Sequence, residues 1–350
     1  MRGVIRPRAL TGAASAEIWI DPSDLSSMRQ EASTSATTPA AIDSPVGYIL
    51  NKGTLGGVLV ATSSGSRPYL RTGSNNIYLE ATSTTSVDFT SAQSAMFTGN
   101  NFVLTYGCLV NASGTILGGT GSSTNQNLHT GIAAAQSLTF AYFGNNLGYS
   151  NSTNLNRLVA SMSQTNSGRI LRKNGVQVTS DTNTSKLTNG SLKLFQGPLG
   201  HGGGVNRLYG LIARQGLVAD TVRTSDEMVI AALAGITIQP EVMPLMTADS
   251  APSGHSVTTS GTMQQPAWNA FNGSWATSSN DLVSSSSPTM PWSLTCTLPA
   301  PTTCSSYRLI QHTDAGNSNW NGLGGPTDWT ISGSNDGTNW TVIDTRTDQP

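Results

Sequence analysis

Charge is scarce in this chain. Of 350 residues, 11% are Asp, Glu, Lys or Arg, 18 basic against 19 acidic, for a formal net charge of −1. Such a surface has little with which to neutralise a phosphate backbone, so nucleic acid is not an expected partner. Cysteine is almost missing: Cys108, Cys296 and Cys304 are an odd number and too few for a disulfide framework. Together with four scattered histidines they lack the spacing of a zinc site. No run approaches the ~20 apolar residues that cross a bilayer, so membrane insertion is not expected. Arg2, Arg6 and Arg8 make the N-terminus basic, but polar Thr11 and Gly12 arrive before any continuous apolar segment. A secretory signal peptide is therefore not expected.

What the chain has instead is Ser, Thr, Asn and Gly. These favour turns and short strands over long helices. The length suggests two domains or three. Short strands are expected at 102–110, 137–143, 156–163, 168–174 and 192–196, with Gly and Asn turns between them, the pattern of a sandwich. Asn174-Gly175 reads as a type I′ hairpin turn. A single helix is expected at 224–235, with Ser225 as N-cap, a stripe of Met228, Ala231 and Ala232, and Gly235 as terminator. Residues 237–247, with Pro240 and Pro244, read as an extended linker. Residues 1–16 read as an N-terminal arm.

Near the end, Trp329-Thr-Ile331 and Trp340-Thr-Val342 flank a polar stretch carrying Asp336-Gly337. Residues two apart share a strand face, so each arm can bury an aromatic with an aliphatic, and Asp336-Gly337 suits a tight turn. Cys296, alternating with Trp292, Leu294 and Leu298, is expected in the core. A Cys296–Cys304 bridge is the alternative.

The words of this hairpin, Gly333-Ser-Asn-Asp-Gly-Thr-Asn-Trp340-Thr, resemble a segment of the discoidin (coagulation-factor type C, galactose-binding-like) family. Ala267-Trp-Asn-Ala-Phe271-Asn-Gly273-Ser-Trp275 resembles that family's opening A-x-x-A-F-D-G segment, with Asn272 in the Asp position. Pro291–Leu298 and Ser306–Ile310 are similar to its next two strands. Earlier, Trp19-Ile-Asp21-Pro-Ser-Asp24, Ser66-Arg67-Pro68-Tyr-Leu70, Arg169–Val178 and Asn206–Ala213 resemble phage laminin-G or concanavalin-A-like lectin domains. The resemblances imply an all-β protein of two β-sandwich (jelly-roll) domains with one short helix near 224–235. The first would span 17–236 and the second 248–350, incomplete at its C-terminus. That would leave a strand edge that more chain or another subunit covers. They also imply that Trp275, Trp329 and Trp340 are core residues. Calcium stabilises loops in both families, but Asn272 weakens that inference and the metal question stays open.

No constellation for catalysis stands out. Gly200-His201-Gly202-Gly203-Gly204 lacks the Lys-Ser/Thr of a phosphate loop. His129, His255 and His312 have no triad spacing. Asp21 and Asp24 suit turn-making. Binding is better supported: His312-Thr-Asp314-Ala-Gly-Asn317-Ser-Asn319-Trp320 mixes an aromatic with amide and imidazole groups, as a sugar requires. Trp320 is the expected stacking platform, with Asn317, Asn319 and His312 bonding hydroxyls, and an inward-packed Trp320 is the competing reading. The expected function is non-enzymatic: a structural protein of a tailed-bacteriophage virion (tail, fibre or head decoration), homo-oligomeric, with other virion subunits and a host glycan as partners and no cofactor. Two alternatives remain, a carbohydrate-binding accessory region of a secreted glycan-active enzyme and a purely architectural virion protein.

Overall fold

The computed structural model describes residues 15–73, 76–99, 101–110, 114–119, 121, 123–133, 137–150, 157–188, 191–197, 206–238, 246, 248–251, 254–260, 266–271, 291, 293–299, 307 and 327–348. The chain divides into two compact units, Met1–Pro240 and Glu241–Pro350.

Unit one begins with β1 (Ile18–Ile20), β2 (Met28–Arg29), β3 (Tyr48–Leu50), β4 (Val58–Ala61), β5 (Tyr69–Gly73), β6 (Asn76–Ala81), β7 (Val87–Asp88) and a one-turn helix α1 (Ser91–Ala95). It continues with β8 (Phe102–Val110), β9 (Gly114–Gly119), β10 (Leu128–Ala133), β11 (Ser137–Tyr142), β12 (Asn145–Ser150), β13 (Leu158–Thr165), β14 (Gly168–Lys173), β15 (Val176–Asp181), β16 (Leu192–Leu194), β17 (Asn206–Gln215) and α2 (Asp220–Ala234). Two antiparallel sheets result. Sheet I runs β15-β14-β13-β8-β17-β6-β5, with β1 also on β17, and sheet II runs β12-β11-β10-β9-β16-β7-β4-β3-β2. This is the expected all-β sandwich.

The period of two decides the layers. Along β8, Phe102, Leu104, Tyr106 and Cys108 enter the core between the sheets, where they meet Leu117, Phe140, Tyr142 and Leu194 of sheet II. Phe97, Phe102 and Phe140 pack edge-on with centroids 5.1 and 6.1 Å apart. The one hydroxyl on this face of β8, that of Tyr106, bonds Thr130 Oγ1 across the core at 2.7 Å. The Asn174-Gly175 turn forms as expected: φ is 52° at Asn174 and 86° at Gly175, and Lys173 pairs with Val176.

The alternate residues of β8 face α2. Val159 and Ile212 meet Val229, Ile230, Ala231 and Leu233 there. Each such aliphatic burial contributes about 1.5–3 kcal/mol. Two glycines let the helix approach. A Cβ on Gly107 would lie 3.0 Å from Ile230 Cγ2 and 3.2 Å from Ala234 Cβ, and one on Gly210 would lie 2.7 Å from Leu233 Cδ1.

The helix differs from its sequence reading. It starts a turn earlier, at Asp220 behind Ala219, not behind Ser225, and it ends at Gly235 in the left-handed region (φ 64°) as expected. Its buried face is rotated: Met228 and Ala232 are exposed, while Arg223, Asp226 and Glu227 are buried. The reason is pairing with the sheet. Arg214 of β17 holds Asp226 through two bonds of 2.6 and 2.8 Å, and Arg172 of β14 holds Glu227 at 2.9 Å. Ile238, placed by the sequence in the linker, is buried with this cluster.

In unit two, β18 (Ser256–Thr259) pairs with β19 (Leu294–Thr297), and β20 (Trp329–Gly333) pairs with β21 (Thr341–Arg346). Met246, Val257 and Ala267 form a small core with Trp268, Phe271 and Leu294 packed on it. Three expectations are corrected here. Cys296 is exposed, not buried. Trp340 is 50% exposed and Val342 61% exposed, so this arm is not a core strand. The hairpin turn is wider than two residues: only Gly337 has a positive φ, and the Asp336 carboxylate organises the loop by accepting from the Thr338 and Asn339 amides at 2.8 and 2.7 Å. Trp340 directs its indole N–H to the Gly337 carbonyl (3.2 Å).

Candidate functional site

Many of the charged groups of unit one serve structure. Arg169 is fully buried between rings and carbonyls: it donates to Asp181, to the Phe140 carbonyl (3.2 Å) and to Asn145 O and Oδ1 (3.1 and 3.0 Å). It closes one end of the sandwich by tying β14 to β11 and β12. Lys52 bonds both Asp21 (3.0 Å) and Asp24 (2.8 Å) and lies 4.3 Å from the Trp19 ring. Asp21 also accepts from Ser23, and Asp24 from Ser26. The turn-making role expected of these two carboxylates is what the geometry gives them.

The hairpin of unit two carries a different kind of cluster, at the surface. Trp329 of β20 pairs with Arg346 of β21, and Ile331 with Asp344. Cross-strand partners share a face, so Trp329, Asp344 and Arg346 stand together. Tyr307 joins them. The Trp329 indole N–H donates to the Tyr307 hydroxyl at 2.9 Å, and that hydroxyl donates to Asp344 Oδ2 at 2.5 Å. Arg346 Nε donates to the same oxygen at 2.8 Å. The Tyr307 hydroxyl and then Arg346 hold the Asp344 carboxyl below its ordinary range, so it is ionised at neutral pH and acts as an acceptor. Tyr307 is 38% exposed. Two aromatic rings, a carboxylate and a guanidinium thus form one hydrogen-bonded array open to water. Ring faces can take the C–H side of a sugar while the acid and guanidinium take vicinal hydroxyls.

The residues singled out from the sequence, Trp320, Asn319, Asn317 and His312, lie outside the described residues, as do Trp275, Cys304 and Gly200–Gly204. The array was missed because Trp329 was assigned to a core. A signal existed: Asp344 and Arg346 alternate on one face of the partner strand, and charged residues at i and i+2 mark a face that meets water.

Among the described residues, no group of three His, Cys, Asp or Glu side chains could hold a metal ion, and no helix is long and apolar enough to cross a membrane.

No family model matches this chain, and no curated protein matches it. Solved structures offer likenesses of outline. Domain 4 of AbnA, a GH43 extracellular arabinanase from Geobacillus stearothermophilus, is 12% identical, with 61% of this chain and 99% of that chain covered, at a TM-score of 0.41. A GH54 α-L-arabinofuranosidase is 14% identical over 75% of this chain and 67% of that chain, with a TM-score of 0.44. The CBM40 of the Ruminococcus gnavus IT-sialidase is 12% identical over 40% of this chain and 91% of that chain, with a TM-score of 0.34. The fold given above rests on this chain's own sheets and core.

Proposed function

We propose that this chain is a non-enzymatic glycan-binding protein and that it serves on a tailed-phage virion, in contact with other virion subunits, where it contributes to host attachment. The observation that carries glycan binding is the surface array of Trp329, Tyr307, Asp344 and Arg346. Its groups are already bonded to one another, so little side-chain entropy is lost when a sugar arrives. Its carboxylate is bonded to a guanidinium and a phenol, an arrangement that suits hydroxyl binding; glycoside cleavage needs two carboxylates across the bond. The virion assignment rests on the resemblance of the Trp19–Asp24, Ser66–Leu70 and Arg169–Val178 segments to phage lectin domains.

The test is a glycan array probed with the full chain and with Trp329→Ala and Tyr307→Phe. Stacking contributes on the order of 1 kcal/mol, so Trp329→Ala should weaken binding about tenfold, and Tyr307→Phe, which keeps the ring, should weaken it less. Binding unchanged in both variants would move glycan recognition away from this array. Steady release of fragments from bound glycan would overturn the non-enzymatic reading. Peptide mass spectrometry of purified particles tests the virion assignment.

A further inference from the structure

Helix α2 covers the outer face of sheet I over β13, β8 and β17. Towards the edge strand β5 that face carries something else. Tyr69 pairs with Glu80, Glu80 with Arg207, and Arg71 with Tyr78, so these side chains lie on one face across β5, β6 and β17. The Arg71 guanidinium lies 5.0 Å from the Tyr69 ring centroid, that of Arg207 4.7 Å from Tyr78, and that of Arg157 4.9 Å from Tyr209. Tyr78 and Tyr209 pack with centroids 5.3 Å apart and planes tilted by 54°.

Glu80 sits between two of the cations. Its Oε1 is 3.5 Å from Arg71 Nε and its Oε2 is 3.2 Å from Arg207 Nε. A carboxylate on the Nε edge, with a ring against each plane, fixes both guanidinium groups in orientation. The far edge of a planar guanidinium points away from an Nε partner, and the two side chains are 34% and 31% exposed. Asp43 takes one nitrogen of Arg71 at 2.6 Å. Arg71 and Arg207 thus face two carboxylates, while Arg157, held by Asn76 Oδ1 and the Ala234 carbonyl (2.8 Å each), has only neutral partners among the described residues and brings a further positive charge beside the Tyr209 ring. Arg71 and Arg207 stand on strands two apart, roughly 9–10 Å. Tyr69, 39% exposed, adds an open ring beside them.

We propose that this face of β5, β6 and β17 binds an acidic polysaccharide through its sugar carboxylates, Arg71 and Arg207 each taking one carboxylate and Tyr69 lying against a sugar ring. The proposal extends the glycan-binding reading to a second surface with its own ligand class. Charge complementarity selects the occupant: guanidinium groups suit carboxylates, Arg207 by its fork and Arg71 by the nitrogen that Asp43 leaves, and acid groups repeated along an extended chain can meet two such cations two strands apart.

Affinity electrophoresis of the full chain in gels containing alginate, dextran or dextran sulfate tests it. Arg71→Gln and Arg207→Gln should each weaken alginate retention about tenfold, and added salt should weaken it in the parent protein. Arg207→Lys should restore only part, because a point charge lacks the fork. Dextran retention should not respond to these changes, and alginate retention should not respond to Trp329→Ala. The Arg71 and Arg207 side chains are 34% and 31% exposed, so circular dichroism melts of their Gln variants should stay nearly unchanged. Alginate retention that persists in both Gln variants overturns the proposal. So does dextran sulfate retained as strongly as alginate and lost in the same variants, which would mean undirected charge. A protein that binds neutral glycans through Trp329 but not alginate sinks this proposal alone, and the reverse pattern sinks only the earlier one. Preferential capture of a poly-glutamate peptide over alginate would assign the face to protein and also overturn it.

Discussion

Replacing Arg214 by Leu puts the account of α2 at risk. The Arg214 and Asp226 side chains are 7% and 1% exposed and share two hydrogen bonds of 2.6 and 2.8 Å. Removing the cation leaves a carboxylate buried beneath the helix with Glu17 as an ionic neighbour. Breaking a buried pair in this way costs about 3–5 kcal/mol. For a unit of this size 1 kcal/mol shifts the melting temperature by roughly 2–4 °C, so a fall on the order of 6–20 °C is expected. The pH dependence gives a second signature. Burial already pushes the Asp226 carboxyl above its ordinary 3.8 with Arg214 in place. Without Arg214 the folded-state value rises further while the unfolded value does not. The folded variant then holds a proton that the unfolded chain has released, so its stability falls as pH rises through that window. The deficit should be largest at neutral pH and shrink in acid. Arg214→Leu with Asp226→Leu removes both charges and should recover most of the loss, or exceed the parent protein. Calorimetry of the full chain between about pH 4 and 7, following the transition of the first unit, makes the measurement. A single variant that loses less than about 1 kcal/mol, or a double variant worse than the single, would refute the view that the pair is held by burial and mutual charge.

Two further outcomes follow from the same packing. Gly107→Ala should destabilise unit one by about 1–3 kcal/mol in urea titration, because Ala234 has no rotamer with which to yield at 3.2 Å; an unchanged midpoint would mean that α2 sits higher on the sheet than described. Cys108 is fully buried with its thiol pushed up to about 12, while Cys296 is exposed with its thiol pushed up to about 11; exposure separates them, so peptide mapping after iodoacetamide should find Cys296 alkylated slowly and Cys108 protected until the protein unfolds.

Alternation and turn chemistry are local properties, and they were legible. The nine residues Phe102–Val110 read as a strand from their pattern alone, and Asn174-Gly175 announced its turn because few other pairs accept two positive φ angles. Gly235 stops α2 for the same reason. The start and the buried face of that helix were not legible. Arg223, Asp226 and Glu227 look like a solvent face until Arg214 and Arg172, brought from strands β17 and β14, supply partners that make burial tolerable.

The surface sites divide along the same line. Trp329 and Trp340 look alike in the sequence, each two residues before an aliphatic one. Only the fold distinguishes them, since Trp340 finds no core and Trp329 finds Tyr307, 22 residues away along the chain. Likewise Tyr69, Glu80 and Arg207 belong to three separate segments, and nothing in the sequence alone sets them side by side. Antiparallel pairing of β5, β6 and β17 sets them in one row, 127 residues separating Glu80 from Arg207. Sequence by itself determined several long strands, the Asn174-Gly175 turn and the sandwich class, because a period of two and a positive φ are written residue by residue. Which charges are buried and which rings meet water was decided only by tertiary structure, because burial and pairing belong to the neighbours that register and sheet order bring together.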